Sequence, residues 1–318
     1  MIAIEISSFG GPEVLQPVER PKPQAASDEV LIRVEAAGVA RADLMQRQGK
    51  YPPPAGASEI PGLDVVGVIE STGDRVCAIV SGGGYAEYCV APASQVLPIP
   101  DGWTAAEAAT LPENLFTVYD NLITRAALRS GETVLIHGGT SGIGSMAIML
   151  SRAWQAVPLA TAGTREKCQA CLDLGAEHAI NYYRESDFVA DVTQFTSGRG
   201  VDVVLDLVGG AYLERNLEVL ATEGRLSIVA TQGGRSGQLN LGALMTKRAR
   251  VLGSTMRSRT PAQKGEIARR LLCDVWPLLP AKDPIRPVID RTFPLRDARL
   301  AHERLESGRH IGKTVLIM

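Results

Sequence analysis

Along residues 1–100 the hydrophobic positions fall in short runs separated by Gly and Pro: MIAIEI, EVLIRVEAAGV, DVVGVIES, RVCAIV, YAEYCVA and QVLPIP. Period-2 alternation predicts half-buried strands, and unbroken apolar runs of this length predict strands covered on both faces. RPKPQ and YPPPAG mark loops, because Pro removes a backbone donor. At Thr104 the pattern changes. TAAEAATLPENLFTVYDNLITRAAL carries Ala and Leu close to the helical repeat, which predicts helices broken at Pro112.

From Glu132 to Gly253 strand and helix patterns alternate. The strands are ETVLIHG, VPLATAG, HAINY, VDVVLDLVG, GRLSIVAT and VLGST; helical stretches between them include SMAIMLSRAWQ, REKCQACLDLGA and SDFVADVTQFT. Such alternation implies a mainly parallel sheet with helices on both faces. The tail reads helix (AQKGEIARRLLCDVWPLL), strand (IRPVIDRTFPL), helix (RDARLAHERLES) and strand (KTVLIM), and is expected to rejoin the N-terminal β region. The expected fold class is α/β. A doubly wound, Rossmann-type parallel sheet over 116–255 is inserted into a β-rich domain made of 1–115 and 256–318.

Length and composition agree with this division. The chain has 318 residues, enough for about two domains of ~150. Apolar residues make up 45% and charged residues 21%, an ordinary globular balance. The net charge of −2 gives no electrostatic case for a nucleic-acid or membrane-surface partner. The basic clusters RTPAQKGEIARRL and TKRARVL read as solvated faces. No apolar run approaches a membrane span, and the N-terminus, with Glu5 in place of a basic and then apolar leader, reads as a first strand. Five cysteines imply reduced thiols in a cytoplasmic protein. Cys168 and Cys171 form a CxxC inside a helical stretch, with no second pair nearby, and read as ordinary helix residues.

The candidate chemistry lies in ETVLIHGGTSGIGSMAIML, an apolar strand that enters a Gly-rich turn and then a helix. Glycines there let backbone N–H groups approach a pyrophosphate, whose charge the helix N-terminus favours. Gly139, Ser141 and Gly144 occupy the G-x-G-x-x-G positions, with Ser in the middle and Gly142 as the compensating residue. An NAD site places Asp or Glu at the end of the second strand to bond the ribose 2′-hydroxyl. Here Ala162, Gly163 and Thr164 stand there, followed by Arg165 and Lys167. A hydroxyl and cations suit a 2′-phosphate, so the expected cofactor is NADPH.

These segments, together with GVARADLMQRQGKYPPP, GGGYAEYCVAP, ATLPENLFTVYDNL, GAEHAINY, GVDVVLDLVGG and HIGKTVLIM, resemble the zeta-crystallin/quinone oxidoreductase branch of the zinc-independent medium-chain dehydrogenase/reductase superfamily. RADLMQRQG is similar to the inducible NADPH:quinone oxidoreductases. The resemblance implies a GroES-like substrate domain around the Rossmann sheet. It implies Ser141, Gly142, Ile143 and Gly144 at the pyrophosphate, and Lys167 and Tyr182 at the 2′-phosphate with Thr164 assisting. Thr117 would lie near the nicotinamide; Val208, Gly209, Thr231, Gln232, Gly253 and Ser254 would line the cofactor groove, and Lys313 would reach the cofactor. Tyr51 would face the nicotinamide and donate to an acceptor oxygen, with Asp43 orienting local groups or starting a helix.

Two catalytic zinc ligands of the superfamily's metal-using branch are replaced by Ala40 and Leu63, so no metal is expected. Ala40 also stands where quinone oxidoreductases commonly have Asn, which removes one polar cofactor contact. A loop usual in the family before GDRV is missing, since VIES passes through Thr72 almost directly into Gly73. The implied activity is NADPH-dependent reduction of quinones. The alternatives are reduction of 2-alkenals or other enones, or a non-catalytic NADPH-binding role like that of lens crystallins, some of which bind RNA. A homodimer through the strand VLGST is expected.

Overall fold

EVLIRVEAAGV forms the eleven-residue strand Glu29–Val39. Ile32, Val34 and Ala36 are buried, and Arg33 between them is exposed. This strand is the centre of a seven-stranded sheet ordered Ile289–Pro294, Lys313–Ile317, Glu29–Val39, Asp64–Ile69, Arg75–Ile79, Val96–Pro98, with Tyr88–Pro92 paired to it as well. Lys313–Ile317 pairs antiparallel with Glu29–Val39 and parallel with Ile289–Pro294, so the tail completes the sheet that the N-terminal segment begins. The computed structural model describes residues 1–183 and 187–318. It divides into two compact units, Met1–Phe116 with Met256–Met318, and Thr117–Thr255.

In the first unit, Ile32, Val34, Val65, Val76, Ala78 and Ala91 fill one core cluster. The segment that lacks the family loop is a closed β-hairpin. The Gly73 N–H donates to the Ile69 carbonyl at 2.8 Å, and the Ile69 N–H to the Asp74 carbonyl at 2.9 Å. Pro112 opens a helix, Pro112–Val118, because the first turn has no use for the missing N–H. Strand Leu15–Glu19, paired with Ile2–Ile6, was not expected; it is short and carries Pro17.

The second unit is a six-stranded parallel sheet in the order His178–Asn181, Val157–Ala162, Thr133–Ile136, Val201–Asp206, Leu220–Ile228, Arg250–Gly253. Numbered along the chain this is 3-2-1-4-5-6, the doubly wound order whose ligands lie beyond the strand C-termini at the switch point. Every residue of Thr133–Ile136 is buried, as expected of a strand covered on both faces. Helices Gly142–Ala153, Arg165–Asp173 and Phe188–Phe195 match the sequence pattern; Ser186, the expected start of the last, lies outside the described residues. Two more, Leu213–Val219 and Leu241–Lys247, do not stand out in the pattern; the second buries none of its residues. After Val118 the helix widens to π geometry over Tyr119–Arg125. Among the described residues no helix is long and apolar enough to cross a membrane.

Candidate functional site

Thr133–Ile136 leads through His137–Ser141 into the helix Gly142–Ala153. Ser141 caps that helix. Its Oγ accepts from the Gly144 N–H at 2.9 Å and donates to the Gly138 carbonyl at 2.8 Å. With φ of −69° this position needs no glycine, which explains the Ser within the motif. Gly144 and Gly139 are required for close approach. A Cβ on Gly144 would lie 2.2 Å from the Gly138 carbonyl oxygen, and one on Gly139 2.6 Å from Cys171 Sγ. The first-turn N–H groups of Gly142 and Ile143 have no acceptor among the described residues. Free first-turn donors at the positive end of a helix are what an anion takes up.

The second strand, Val157–Ala162, passes into Gly163 and Thr164 with no carboxylate. Thr164 caps the helix Arg165–Asp173, its hydroxyl accepting from the Lys167 N–H at 3.1 Å. Tyr182 follows the strand His178–Asn181, and its phenol oxygen lies 2.7 Å from where a Cβ of Gly163 would stand. Glycine at 163 thus makes room for that hydroxyl. Burial, with Tyr183 beside it, holds the Tyr182 phenol above its ordinary pKa, so it is a donor at neutral pH. Gly163 is therefore flanked by the Thr164 hydroxyl, the Tyr182 phenol and the first turn that carries Lys167. Cys171 is buried behind Gly139 and Cys168 is half-buried, so the CxxC packs as part of this helix.

A buried polar chain braces these loops. His137 Nε2 lies 2.7 Å from Asn216 Oδ1, and Nδ1 lies 3.1 Å from Thr161 Oγ1. Thr161 Oγ1 in turn accepts from the Gly138 N–H at 3.3 Å. Burial pushes the His137 pKa down to about 4, so the ring is neutral, donating from Nε2 and accepting at Nδ1. Asp206, at the end of its strand, accepts from the N–H groups of Val208 at 2.7 Å and Gly209 at 3.0 Å. Burial raises its carboxyl to about 6 against those bonds. Backbone bonds from Gln232 to Leu207 (3.3 Å) and from Gly233 to Val208 (2.7 Å) tie this loop to the one carrying Thr231 and Gln232.

Thr117, nearly buried, joins the same edge through Asn121, a residue the sequence reading did not single out. Asn121 Nδ2 donates to the Thr117 carbonyl at 2.8 Å, and its Oδ1 accepts from Ser227 Oγ at 3.0 Å and Ser254 Oγ at 2.8 Å. Arg125, from the same π-helical segment, donates to the Gly253 carbonyl at 3.1 Å. Ser141–Gly144, Thr164, Lys167, Tyr182, Val208, Gly209, Thr231, Gln232, Gly253, Ser254 and Thr117 thus all belong to one unit. All but Thr117 lie at or just beyond the C-terminal ends of its parallel strands, and Thr117 is tied there by Asn121.

Tyr51 and Lys313 belong to the other unit. Arg257, buried, holds Tyr51 from two sides: it donates to the Tyr51 carbonyl at 3.1 Å, and its guanidinium lies 5.5 Å from the ring centroid. Burial raises the Tyr51 phenol pKa and the charge of Arg257 opposes that rise. Asp43 is a helix-start residue and more. Its carboxylate accepts from Ala40 N–H at 2.8 Å, Gly62 N–H at 3.1 Å and the Tyr85 hydroxyl at 3.2 Å, and burial lifts its pKa to about 6. Lys313, which the resemblance placed at the cofactor, is engaged by carboxylates of its own unit. Its ammonium is 2.7 Å from Asp64 and 3.2 Å from Glu113, and it is 3% exposed. Burial alone would lower its pKa, but the two carboxylates hold it above the ordinary lysine value.

Among the described residues no three of His, Cys, Asp and Glu are grouped to hold a metal ion. Ala40 and Leu63 carry no donor, and the ring nitrogens of His137 are both taken up by protein partners. At these positions the residues present offer zinc no ligand.

Two family profiles match the chain: the alcohol dehydrogenase GroES-like domain over residues 26–101 and the zinc-binding dehydrogenase over 142–271. The quinone oxidoreductase of Lama guanicoe is 34% identical over 335 aligned positions, covering 100% of this chain and 98% of the relative. Among solved structures, the quinone oxidoreductase from Thermus thermophilus, determined alone and with NADPH, is 34% identical, with a TM-score of 0.85 and both chains covered in full. A mycobacterial protein complexed with NADPH is 30% identical, with a TM-score of 0.88 over the full length of both chains.

Proposed function

Because the chain belongs to the quinone oxidoreductase branch of the medium-chain dehydrogenase/reductase superfamily, we propose that this oxidoreductase uses NADPH to reduce quinones. The observation that carries the cofactor choice is the end of the second strand. Where an NAD site has an acid, this chain has Gly163 with the Tyr182 phenol beside it, the Thr164 hydroxyl and the Lys167 turn. The NADPH complexes of the Thermus and mycobacterial proteins support the same choice.

In this reading Ser141, Gly142, Ile143 and Gly144 hold the pyrophosphate, and Thr164, Lys167 and Tyr182 hold the 2′-phosphate. Thr117, Val208, Gly209, Thr231, Gln232, Gly253 and Ser254 line the remaining half of the cofactor groove. Lys313 is left out, since Asp64 and Glu113 already take up its ammonium. Bound NADPH supplies the hydride, and the residues supply position and charge. Tyr51, its phenol pKa raised by burial, donates a hydrogen bond to the acceptor oxygen. A quinone needs no more, because solvent protonates its reduced oxygens.

The same protonated phenol favours a second reading. Reduction of an enone requires a proton at the α-carbon, and Tyr51 is a donor able to supply it. A homodimer suits the edge strand Arg250–Gly253, whose Val251 is exposed, as are Met245 and Leu241 of the preceding helix. The five cysteines are all thiols, which suits the cytoplasm.

The test is oxidation of NADPH and NADH by the purified protein against ortho- and para-quinones and 2-alkenals. Faster NADPH turnover with quinones is expected. Turnover with alkenals alone would move the protein to the second reading. Tight NADPH binding without turnover would leave only a binding role.

A further inference from the structure

Among the described residues five cationic side chains are buried: Arg47, Arg225, Arg257, Lys264 and Lys313. Arg47 pairs with Glu306, Arg225 with Glu132, and Lys313 with Asp64 and Glu113. Arg257 and Lys264 face only uncharged oxygens. Arg257 donates to the carbonyls of Ser81 and Tyr51 at 2.9 and 3.1 Å, and to Gln46 Oε1 at 2.7 Å. Lys264 Nζ lies 2.8 Å from Ser81 Oγ and 3.2 Å from the Arg257 carbonyl.

Lys264 is 1% exposed, and an ammonium buried without a countercharge is costly in its charged form. Burial, and then the charge of Arg257, bring its pKa down to about 8. The segments packed most closely on its helix, Pro261–Asp274, are Ala93–Gln95, Val96–Pro98 and Trp276–Leu278, and none of them carries a titratable side chain. On the helix itself, Glu266 is taken up by Arg269 and Arg270. Lys264 is thus an amine that gives up its proton near neutral pH while it touches a hydroxyl.

Ser81 is half-buried, so its Oγ is within reach of a ligand. When Lys264 is charged, Ser81 Oγ accepts from it; when Lys264 is neutral, the hydroxyl can donate to the amine. The Arg257 carbonyl orients that amine in turn. Hydroxyl, base and orienting acceptor within hydrogen-bond reach form the arrangement that activates a serine. The N–H groups of Ser81 and Gly82 have no acceptor among the described residues, and backbone donors beside a nucleophile suit an oxyanion.

We infer that Ser81 and Lys264 are a nucleophile and its general base, and that small carboxylic esters are a second class of substrate, cleaved at this site without NADPH. Neutral Lys264 takes the hydroxyl proton as Ser81 Oγ bonds to the ester carbonyl carbon. The bond from that carbon to the alcohol oxygen then breaks, and Lys264 returns the proton to the leaving alcohol. Water attacks the acyl-serine, gives one proton to Lys264 and releases the acid, and Ser81 regains its hydroxyl proton. No electrons are exchanged, so the inference goes beyond the proposed reduction and does not depend on it.

The probe is p-nitrophenyl acetate, mixed with the purified full chain in the absence of cofactor. Nitrophenol release is followed, and peptide mass spectrometry locates the acetyl group. A stoichiometric burst with acetyl on Ser81 is expected, its rate rising through neutral pH and levelling off above about 8 as Lys264 loses its proton. Ser81→Ala should abolish the burst and Ser81→Cys restore it, which separates loss of the nucleophile from loss of the fold. Lys264→Arg keeps the charge and the donors but cannot serve as a base, so it should slow the burst by about a hundredfold or more. A lysine that only braced the loop would be replaced by arginine without that loss. No acetyl on Ser81, a burst in Lys264→Arg as fast as in wild type, or a rate indifferent to pH would each overturn the inference.

Discussion

Gly163 is the position where a single carboxylate should invert the cofactor preference. A Cβ there would stand 2.7 Å from the Tyr182 hydroxyl and 3.0 Å from the Tyr183 ring, so Gly163→Asp must displace the phenol and also place an acid beside the 2′ position. Losing one hydrogen bond to a charged phosphate is worth about 1.5–3 kcal/mol. Like charges at ~6 Å in an effective dielectric near 20 repel by roughly 3 kcal/mol, and salt at this exposed corner screens about half of that. The sum, about 3–4 kcal/mol, corresponds to a fall in kcat/KM for NADPH of roughly two to three powers of ten. NADH, whose 2′-hydroxyl can donate to the new carboxylate, should gain about tenfold. Gly163→Ala is the control, because it moves Tyr182 without adding charge. It should cost NADPH about tenfold and leave NADH unchanged. Initial rates of wild type and both variants with each cofactor at fixed quinone give all six constants. If Gly163→Asp lowered kcat/KM for both cofactors by the same factor, the corner would be structural and its role in choosing the cofactor would be refuted.

Lys313→Met leaves Asp64 and Glu113 facing one another in the core, so urea unfolding should show a loss of about 3–5 kcal/mol. A loss below about 1 kcal/mol would mean the pair contributes nothing. His137 has a folded pKa of about 4 against 6.5 when free, so the unfolded chain binds the extra proton between those values. Its contribution to stability is therefore fully present above the free value and is lost as pH falls toward 4. From pH 7 to 5 the loss is about 2 kcal/mol, and His137→Gln should unfold with that much less acid sensitivity. Parallel pH profiles for variant and wild type would contradict the assignment. Tyr51→Phe keeps the ring under Arg257 and removes the phenol proton. Quinone reduction should fall less than about threefold and any alkenal reduction roughly a hundredfold, whereas equal losses would show that Tyr51 serves only to bind.

The parallel sheet was legible in the chain because each of its strands is an apolar run bounded by glycine or charge, as in ETVLIHG and VDVVLDLVG. The Glu29–Val39 strand was legible for the opposite reason, a clean alternation through Ile32, Arg33 and Val34. Leu241–Lys247 escaped because Leu241 is 64% exposed and Met245 76%, so no buried face imprints a period on it. At the site, Ser141, Gly144 and Thr164 could be read from the strand–turn–helix grammar, since capping is local in sequence. The partners of His137, Lys313 and Asn121 could not. Asn216, Asp64 and Ser254 lie far along the chain from them, and only the sheet order brings them together. Lys313 is engaged by Asp64 and Glu113, which no local pattern around it announces.

The interleaving of the first unit also bears on how the chain is made. Strand Lys313–Ile317 lies between Ile289–Pro294 and Glu29–Val39, and its lysine neutralises Asp64 and Glu113. During synthesis the N-terminal strands leave the ribosome long before that strand and that ammonium exist. Until then one side of Glu29–Val39 is an open edge over Ala36–Val39, beyond its pairing with Tyr88–Pro92, and two carboxylates destined to meet that ammonium have no countercharge. The Thr117–Thr255 unit is continuous and can close as it emerges. The nascent chain should therefore hold a finished α/β domain between two unfinished parts of another. That half-made sheet, more than anything in the mature molecule, is what a chaperone would need to shield.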